Sequence, residues 1–186
     1  MKEESLQELK EKLAALLKKE ALKKGNFVLS SGKASNYYLD GRLITLNPEG
    51  AYLVASIILE MLKGRDIDAL GGPTLGADPI VGAVACLSRI KNFPLTTFIV
   101  RKSAKGHGMQ RQIEGPALKT TSKVILVDDV ATTGKALIEA KEALAEAGIN
   151  ADTAFVIVDR CEGARENLAR AGLKLEAIFK IEELDN

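Results

Sequence analysis

Tryptophan is absent from this 186-residue chain, aromatic residues make up only 4%, and histidine occurs once. Cysteine occurs twice, at Cys86 and Cys161. Each stands alone, far from the other and without metal-site spacing, so a reducing compartment is the simple expectation. Charge of one sign is also lacking. The 26 Lys and Arg against 25 Asp and Glu leave a formal net charge of +1, which offers no global attraction to nucleic acid or to a membrane surface. Long hydrophobic runs are missing. The most apolar segment, AYLVASIILEMLKG, is interrupted by Glu60 and is too short to span a bilayer. The opening MKEESLQELKEKLAALLKKEALKKG is charged throughout, unlike a signal peptide. Repeats and low-complexity tracts are absent as well. The expectation is a cytoplasmic protein with no nucleic-acid and no membrane partner.

What is present is ordinary globular material, 46% apolar and 27% charged. At this length a chain buries roughly 70% of its unfolded surface, so a sizeable core needs no staples. Leu6, Leu9, Leu13, Leu16 and Leu17 have the spacing of an amphipathic helix, with Gly25 suited to its end. FVLSSGKASNYYLDGRLITL reads as short β-prone pieces around a Ser-Ser-Gly turn. Asn47 as cap and Pro48 in the first turn open a helix that closes on Gly64. Beyond it strands and helices alternate. IDAL, LTTFIV, SKVILV, DTAFVIVD and KLEAIFKI are strands, with helices starting near Pro79, near Gly134 and at EGARENLARAG. This alternation predicts an α/β fold with a central, mainly parallel sheet flanked by helices. The chain reads as one domain, residues 47–186 forming the core and residues 1–46 a small N-terminal helix and cap.

Ligands in such sheets bind outside the carboxyl ends of the strands. VILVDDVATTGKAL brings a buried-strand run directly onto Asp128 and Asp129, then hydroxyls, a glycine and a helix. Free N–H groups, hydroxyls and the helix dipole make an anion site at such a helix start, and Gly134 allows close approach to the backbone. Carboxylates repel phosphate but suit neutral hydroxyls, as on a ribose, or a metal held by the ligand. A phosphorylated sugar satisfies both halves. The plain alternative is an Asp-rich strand end with a threonine cap. A Walker loop is excluded, because Ala136 follows Gly134-Lys135 and Asp129 occupies the position of the upstream glycine. GGPTLGADPI is a second glycine-rich loop, but it lacks the G-x-G-x-x-G spacing of a dinucleotide site. RKSAKGHGMQRQIEG sets Arg101, Lys102, Lys105 and Arg111 against Glu114 and holds the only histidine, His107. It is either a solvated loop or a lid that closes over an anion. Tyr37, Tyr38 and Leu39 read more readily as core than as ligand contacts. Arg160 ends an apolar strand at the same edge as the acidic pair.

Together these segments resemble the type I phosphoribosyltransferases, and over nearly the whole chain the orotate phosphoribosyltransferases. The strand, acidic pair, Thr-Thr-Gly and helix are similar to the signature for phosphoribosyl pyrophosphate. RKSAKGHG matches the R-K-x-x-K-x-H-G lid at Arg101, Lys102, Lys105, His107 and Gly108. LSSGKASNYYLD is similar to the segment over the pyrimidine, and DRCEG to the one carrying an orotate-reading arginine. The resemblance implies transfer of a phosphoribosyl group to orotate, with Mg²⁺ as cofactor, in a homodimer whose lids serve the neighbouring subunit. It implies Lys105, His107 and Asp129 as catalytic. It places the phosphoribosyl ligand on Arg101, Lys102, Lys105, His107, Asp128, Asp129, Val130, Ala131, Thr132, Thr133, Gly134, Lys135 and Ala136, and orotate on Thr132 and Arg160. It implies no direct metal ligand, the ion arriving with the phosphoribosyl ligand and Asp128 or Asp129 meeting it through water. Ser30 and Gly76 depart from the pattern, each standing where many members carry a lysine. Two alternatives stay open. One is transfer to another nucleobase, since neither the acidic pair nor the lid reads the base. The other is a non-catalytic regulator that binds the same ligand, against which the Lys-Lys-His lid and the lack of a helix-turn-helix segment count.

Overall fold

Ser5 opens the first helix by a reciprocal cap. Its hydroxyl accepts from the Glu8 N–H at 3.2 Å, and the Glu8 carboxylate accepts from the Ser5 N–H at 2.7 Å. The computed structural model describes residues 4–28, 34–102 and 112–184. Helix α1 (Leu6–Leu16) buries Leu9 and Leu13. It stops short of Gly25. A π-helical turn (Leu17–Ala21) passes straight into strand β1 (Leu22–Val28), which pairs antiparallel with β2 (Ala34–Leu39). Pairing of Leu22 with Leu39 and Lys23 with Tyr38 takes over residues whose spacing continues the helix. Gly25 falls instead at the irregularity between Lys24 and Phe27.

A short helix α2 (Arg42–Thr45) precedes α3 (Pro48–Leu62). Asn47 caps α3 as expected, its Oδ1 accepting from the N–H groups of Glu49 and Gly50 at 2.9 and 3.1 Å. The main sheet follows: β3 (Ala69–Pro73), α4 (Ala77–Ile90), β4 (Thr96–Val100), β5 (Ile113–Glu114), β6 (Val124–Ala131), α5 (Lys135–Glu146), β7 (Ala151–Asp159), α6 (Ala164–Arg170), β8 (Lys174–Lys180) and α7 (Ile181–Leu184).

The strand order is β5-β4-β3-β6-β7-β8, with every pairing parallel except β4 with β5. The α/β reading with a mainly parallel sheet therefore holds. Two residues assigned to the long basic loop, Ile113 and Glu114, instead close the sheet edge as β5. Period-2 alternation splits the core. Leu70, Ile125, Val127 and Phe155 pack with Leu13, Ile57 and Ile80 of α1, α3 and α4. Leu126, Ala154 and Val156 pack with Leu137, Leu144 and Leu168 of α5 and α6. Each such aliphatic side chain contributes roughly 1.5–3 kcal/mol on burial. The chain leaves β3 through α4 toward one sheet edge and leaves β6 through α5 toward the other. The order thus reverses between β3 and β6, and a crevice opens there beyond the strand ends. Among the described residues no helix is long and apolar enough to cross a membrane.

Candidate active site

Strand β6 does not stop at the acidic pair, as the sequence suggests, but carries it inside its last half. On one flank β3 pairs with β6 only as far as Gly71 with Leu126, while on the other β7 continues to pair through Ala131. Asp128 and Asp129 therefore have a strand on one side and the β3–α4 loop on the other. Face alternation also breaks at this point. Val130 joins the α3/α4 side of the core and Ala131 the α5/α6 side, the reverse of the order running from Val124. Each carboxylate turns onto the next backbone N–H. Asp128 Oδ1 accepts from Asp129 at 2.9 Å, and Asp129 Oδ1 accepts from Val130 at 2.7 Å.

Asp128 is only 9% exposed, and Asp129 is partly buried. Burial, together with the charge of Asp129, pushes the Asp128 carboxyl well above the usual range, and burial raises Asp129 as well. Asp78, in the first turn of α4, adds a third negative charge. Its Oδ1 is buried without a partner among the described residues, and burial raises its pKa too. The opposing cation is Arg42, held by Asp40 through two side-chain bonds of 2.9 and 3.0 Å. That pairing draws Asp40 below the carboxylate range, and Arg42 partly offsets the rise at Asp129.

Asp40, Arg42, Asp128 and Asp129 line a cavity of about 540 Å³ whose wall also includes Tyr38, Gly76, Lys102, Thr132, Ala136 and Arg160. An adjoining hollow of about 170 Å³ is lined by residues 130–137 and Asp128. Gly134 turns this loop in the left-handed region (φ 77°), and α5 starts behind it with no acid in its first turn. Asn167 of α6 fixes the loop by donating to the Thr133 carbonyl at 3.0 Å. The hollow thus offers free N–H groups and hydroxyls to an anion, while the larger cavity offers carboxylates to donors.

Arg160, expected at this edge, is 6% exposed rather than a surface side chain. Its Nε donates to Glu162 at 2.8 Å, and its guanidinium lies 4.6 Å from the centre of the Tyr37 ring. Tyr37 is part core, as expected, but it also reaches the site. Lys135 lines the hollow and pairs with Glu139 at 3.6 Å. Lys102 faces the main cavity. Arg101 lies instead 3.5 Å from Glu114, on a separate cavity beside α5. Lys105, His107, Gly108 and Ser30 lie outside the described residues. Sequence reading missed Asp40, Arg42, Asp78 and Glu162. The compact D-G-R spacing around Gly41 is the one local signal that points to the first two. Among the described residues no three potential ligand side chains gather as a metal site. Asp128 and Asp129 do supply two carboxylates whose mutual repulsion a cation would relieve.

A mainly parallel sheet with a crevice at its switch point, carboxylates on one wall and a helix start on the other, defines a class, and residues 44–182 match the model of the phosphoribosyl transferase domain. The orotate phosphoribosyltransferase of Aquifex aeolicus is 47% identical over 178 residues, covering 94% of this chain and 97% of that protein. The crystal structure of Mycobacterium tuberculosis orotate phosphoribosyltransferase with Fe(III) dicitrate superposes with a TM-score of 0.83 at 34% identity, covering 96% of this chain and 99% of that one. The same enzyme in complex with 5-phospho-α-D-ribosyl 1-diphosphate gives a TM-score of 0.75 at 28% identity, covering 95% and 91%. The chain belongs to the orotate phosphoribosyltransferase family.

Proposed function

We infer that the acidic pair, the loop before α5 and Arg160 divide one transfer among three parts of a single cavity. The reaction passes the phosphoribosyl group of 5-phosphoribosyl 1-pyrophosphate to orotate, giving orotidine 5′-phosphate and pyrophosphate. The observation that carries the division of labour is the contrast between the two walls. Repelling carboxylates with raised pKa values want hydroxyl donors, and a helix start free of acids wants an anion. A ribose 5-phosphate offers both at the right ends.

In this reading Val130, Ala131, Thr132, Thr133, Gly134, Lys135 and Ala136 hold the 5-phosphate. Asp128 and Asp129 accept from the ribose hydroxyls, and Asp129 also stabilises the positive charge that develops at the anomeric carbon. Arg160 and Thr132 hold orotate so that its ring nitrogen faces that carbon. Negative charge grows on the departing pyrophosphate, where Lys102, Lys105 and His107 act, Lys105 and His107 being its proton donors, and Arg101 joins them by leaving its place beside Glu114. Asp128 or Asp129 would hold magnesium through water, and the ion would neutralise part of that charge. The β1–β2 hairpin caps the base end, and the chain works as a cytoplasmic homodimer in which each lid serves its neighbour.

Asp129→Asn tests the central role. It keeps the acceptor for the Val130 N–H and removes the charge. Turnover should fall about 10²–10³-fold, the scale of losing one preorganised electrostatic group, with the circular dichroism spectrum unchanged. Turnover within about twofold of the parent would make the pair structural only.

A further inference from the structure

Arg160 is held from three directions before any ligand arrives. Its backbone N–H donates to the Ala131 carbonyl at 2.9 Å, which ties it to the end of β6. Its Nε donates to Glu162 at 2.8 Å, and the Tyr37 ring lies against its face. The turn around it is braced as well. Asp159 accepts from the Cys161 N–H at 2.9 Å and from Arg165 Nη2 at 3.3 Å, with Cys161 and Gly163 both in the left-handed region. One polar atom is left over. Arg160 Nη2 is buried with no hydrogen-bond partner among the described residues, in a side chain that lines the main cavity. A buried guanidinium N–H is costly to leave unpaired. An acceptor from the ligand completes it, and a carboxylate suits the guanidinium edge best.

Glu162 does not line that cavity, yet it decides which edge of the guanidinium is free. Its bond occupies Nε and so leaves the Nη2 edge for the ligand. We propose that Glu162 is a positioning residue that orients Arg160 toward the carboxylate of the incoming base, and so sets the preference for a carboxylated pyrimidine. This rests on the orotate reading above. The sign of the effect separates positioning from simple charge. Glu162 brings a negative charge close to an anionic substrate, so charge alone would make its removal tighten orotate. Positioning makes removal weaken it.

The test uses full-length Glu162→Ala and Glu162→Gln, with the parent enzyme assayed first for orotate consumption. A parent that turns over orotate upholds the functional reading, whatever the variants do. Glu162→Ala should raise the KM for orotate about tenfold or more, the scale of one charge-assisted hydrogen bond. The KM for phosphoribosyl pyrophosphate should stay within about twofold. Glu162→Gln retains an oxygen acceptor for Nε–H and should restore most of the orotate KM. The preference for orotate over uracil, which lacks the carboxylate, should narrow in the alanine variant and recover in the glutamine variant. Tighter orotate binding in both variants would overturn the proposal in favour of charge. Equal changes in both KM values, or an unchanged orotate KM, would overturn it as well.

Discussion

Glycine at position 76 lets two carboxylates stand side by side beneath the β3–α4 loop. A Cβ there would lie 1.9 Å from Asp128 Oδ1 and 2.6 Å from Asp129 Oδ1, and one at Gly41 would lie 2.8 Å from Asp129 Oδ2. With the loop in this position, any side chain at 76 would push both carboxylates aside. The pair is consequently crowded and largely buried, and burial raises both pKa values. The sign for stability follows. A carboxyl raised in the folded state holds its proton more tightly there than in the unfolded chain. Its stabilising contribution is complete below the ordinary aspartate value near 3.8 and is lost as pH climbs through the raised value. Asp128→Asn cannot ionise, yet it keeps an oxygen for the Asp129 N–H. The ligand-free variant should therefore melt progressively higher than its parent as pH rises from about 4 to about 7, by about 2–4 °C for each kcal/mol recovered. Calorimetry across that range checks it, and a gap that closes with rising pH contradicts it. At this scale the sequence was only half readable. Two adjacent aspartates after an apolar run announced a site. Nothing local announced that Arg160 is buried, or that Glu162 and Tyr37, far apart in the chain, would meet on it.

Helix starts were the most legible elements, because caps and glycines act locally. The loop into α5 depends on one residue. Gly134 has φ 77°, and a Cβ there would lie 2.8 Å from Leu168 Cγ in α6. The left-handed conformation alone costs a side chain about 1–2 kcal/mol. Gly134→Ala should therefore lower the melting temperature by at least several degrees and, if the loop holds the phosphate as proposed, raise the KM for phosphoribosyl pyrophosphate more than that for orotate. Unchanged melting and unchanged KM values would remove the loop from that role. Strand ends were less legible. The apolar run stops at Val127, but β6 continues to Ala131 because β7 goes on pairing with it. The helix expected to reach Gly25 gives way after Ala21 for a comparable reason: Leu39 and Tyr38, across the hairpin, claim Leu22 and Lys23 as strand partners. In each case a pairing between strands outweighs a local periodicity.

At the scale of the whole molecule, alternation of strands and helices was enough to define the layers, but not the order β5-β4-β3-β6-β7-β8. That order creates the crevice between β3 and β6 and so brings segments far apart in the chain to one cavity. The proposed sharing of the lid between subunits is tested at this scale as well. Lys105→Ala and Asp129→Asn proteins, each strongly impaired alone, should regain activity after subunit exchange, because with a shared lid each heterodimer holds one site with neither defect. Continued impairment after proven exchange would assign each lid to its own subunit. The reaction itself is tested most directly by following orotate absorbance with the parent protein, phosphoribosyl pyrophosphate and magnesium, beside parallel reactions offering adenine, guanine, hypoxanthine or uracil. Orotate should disappear with matching release of pyrophosphate while the other bases remain. Turnover of a purine with orotate left intact would contradict the account.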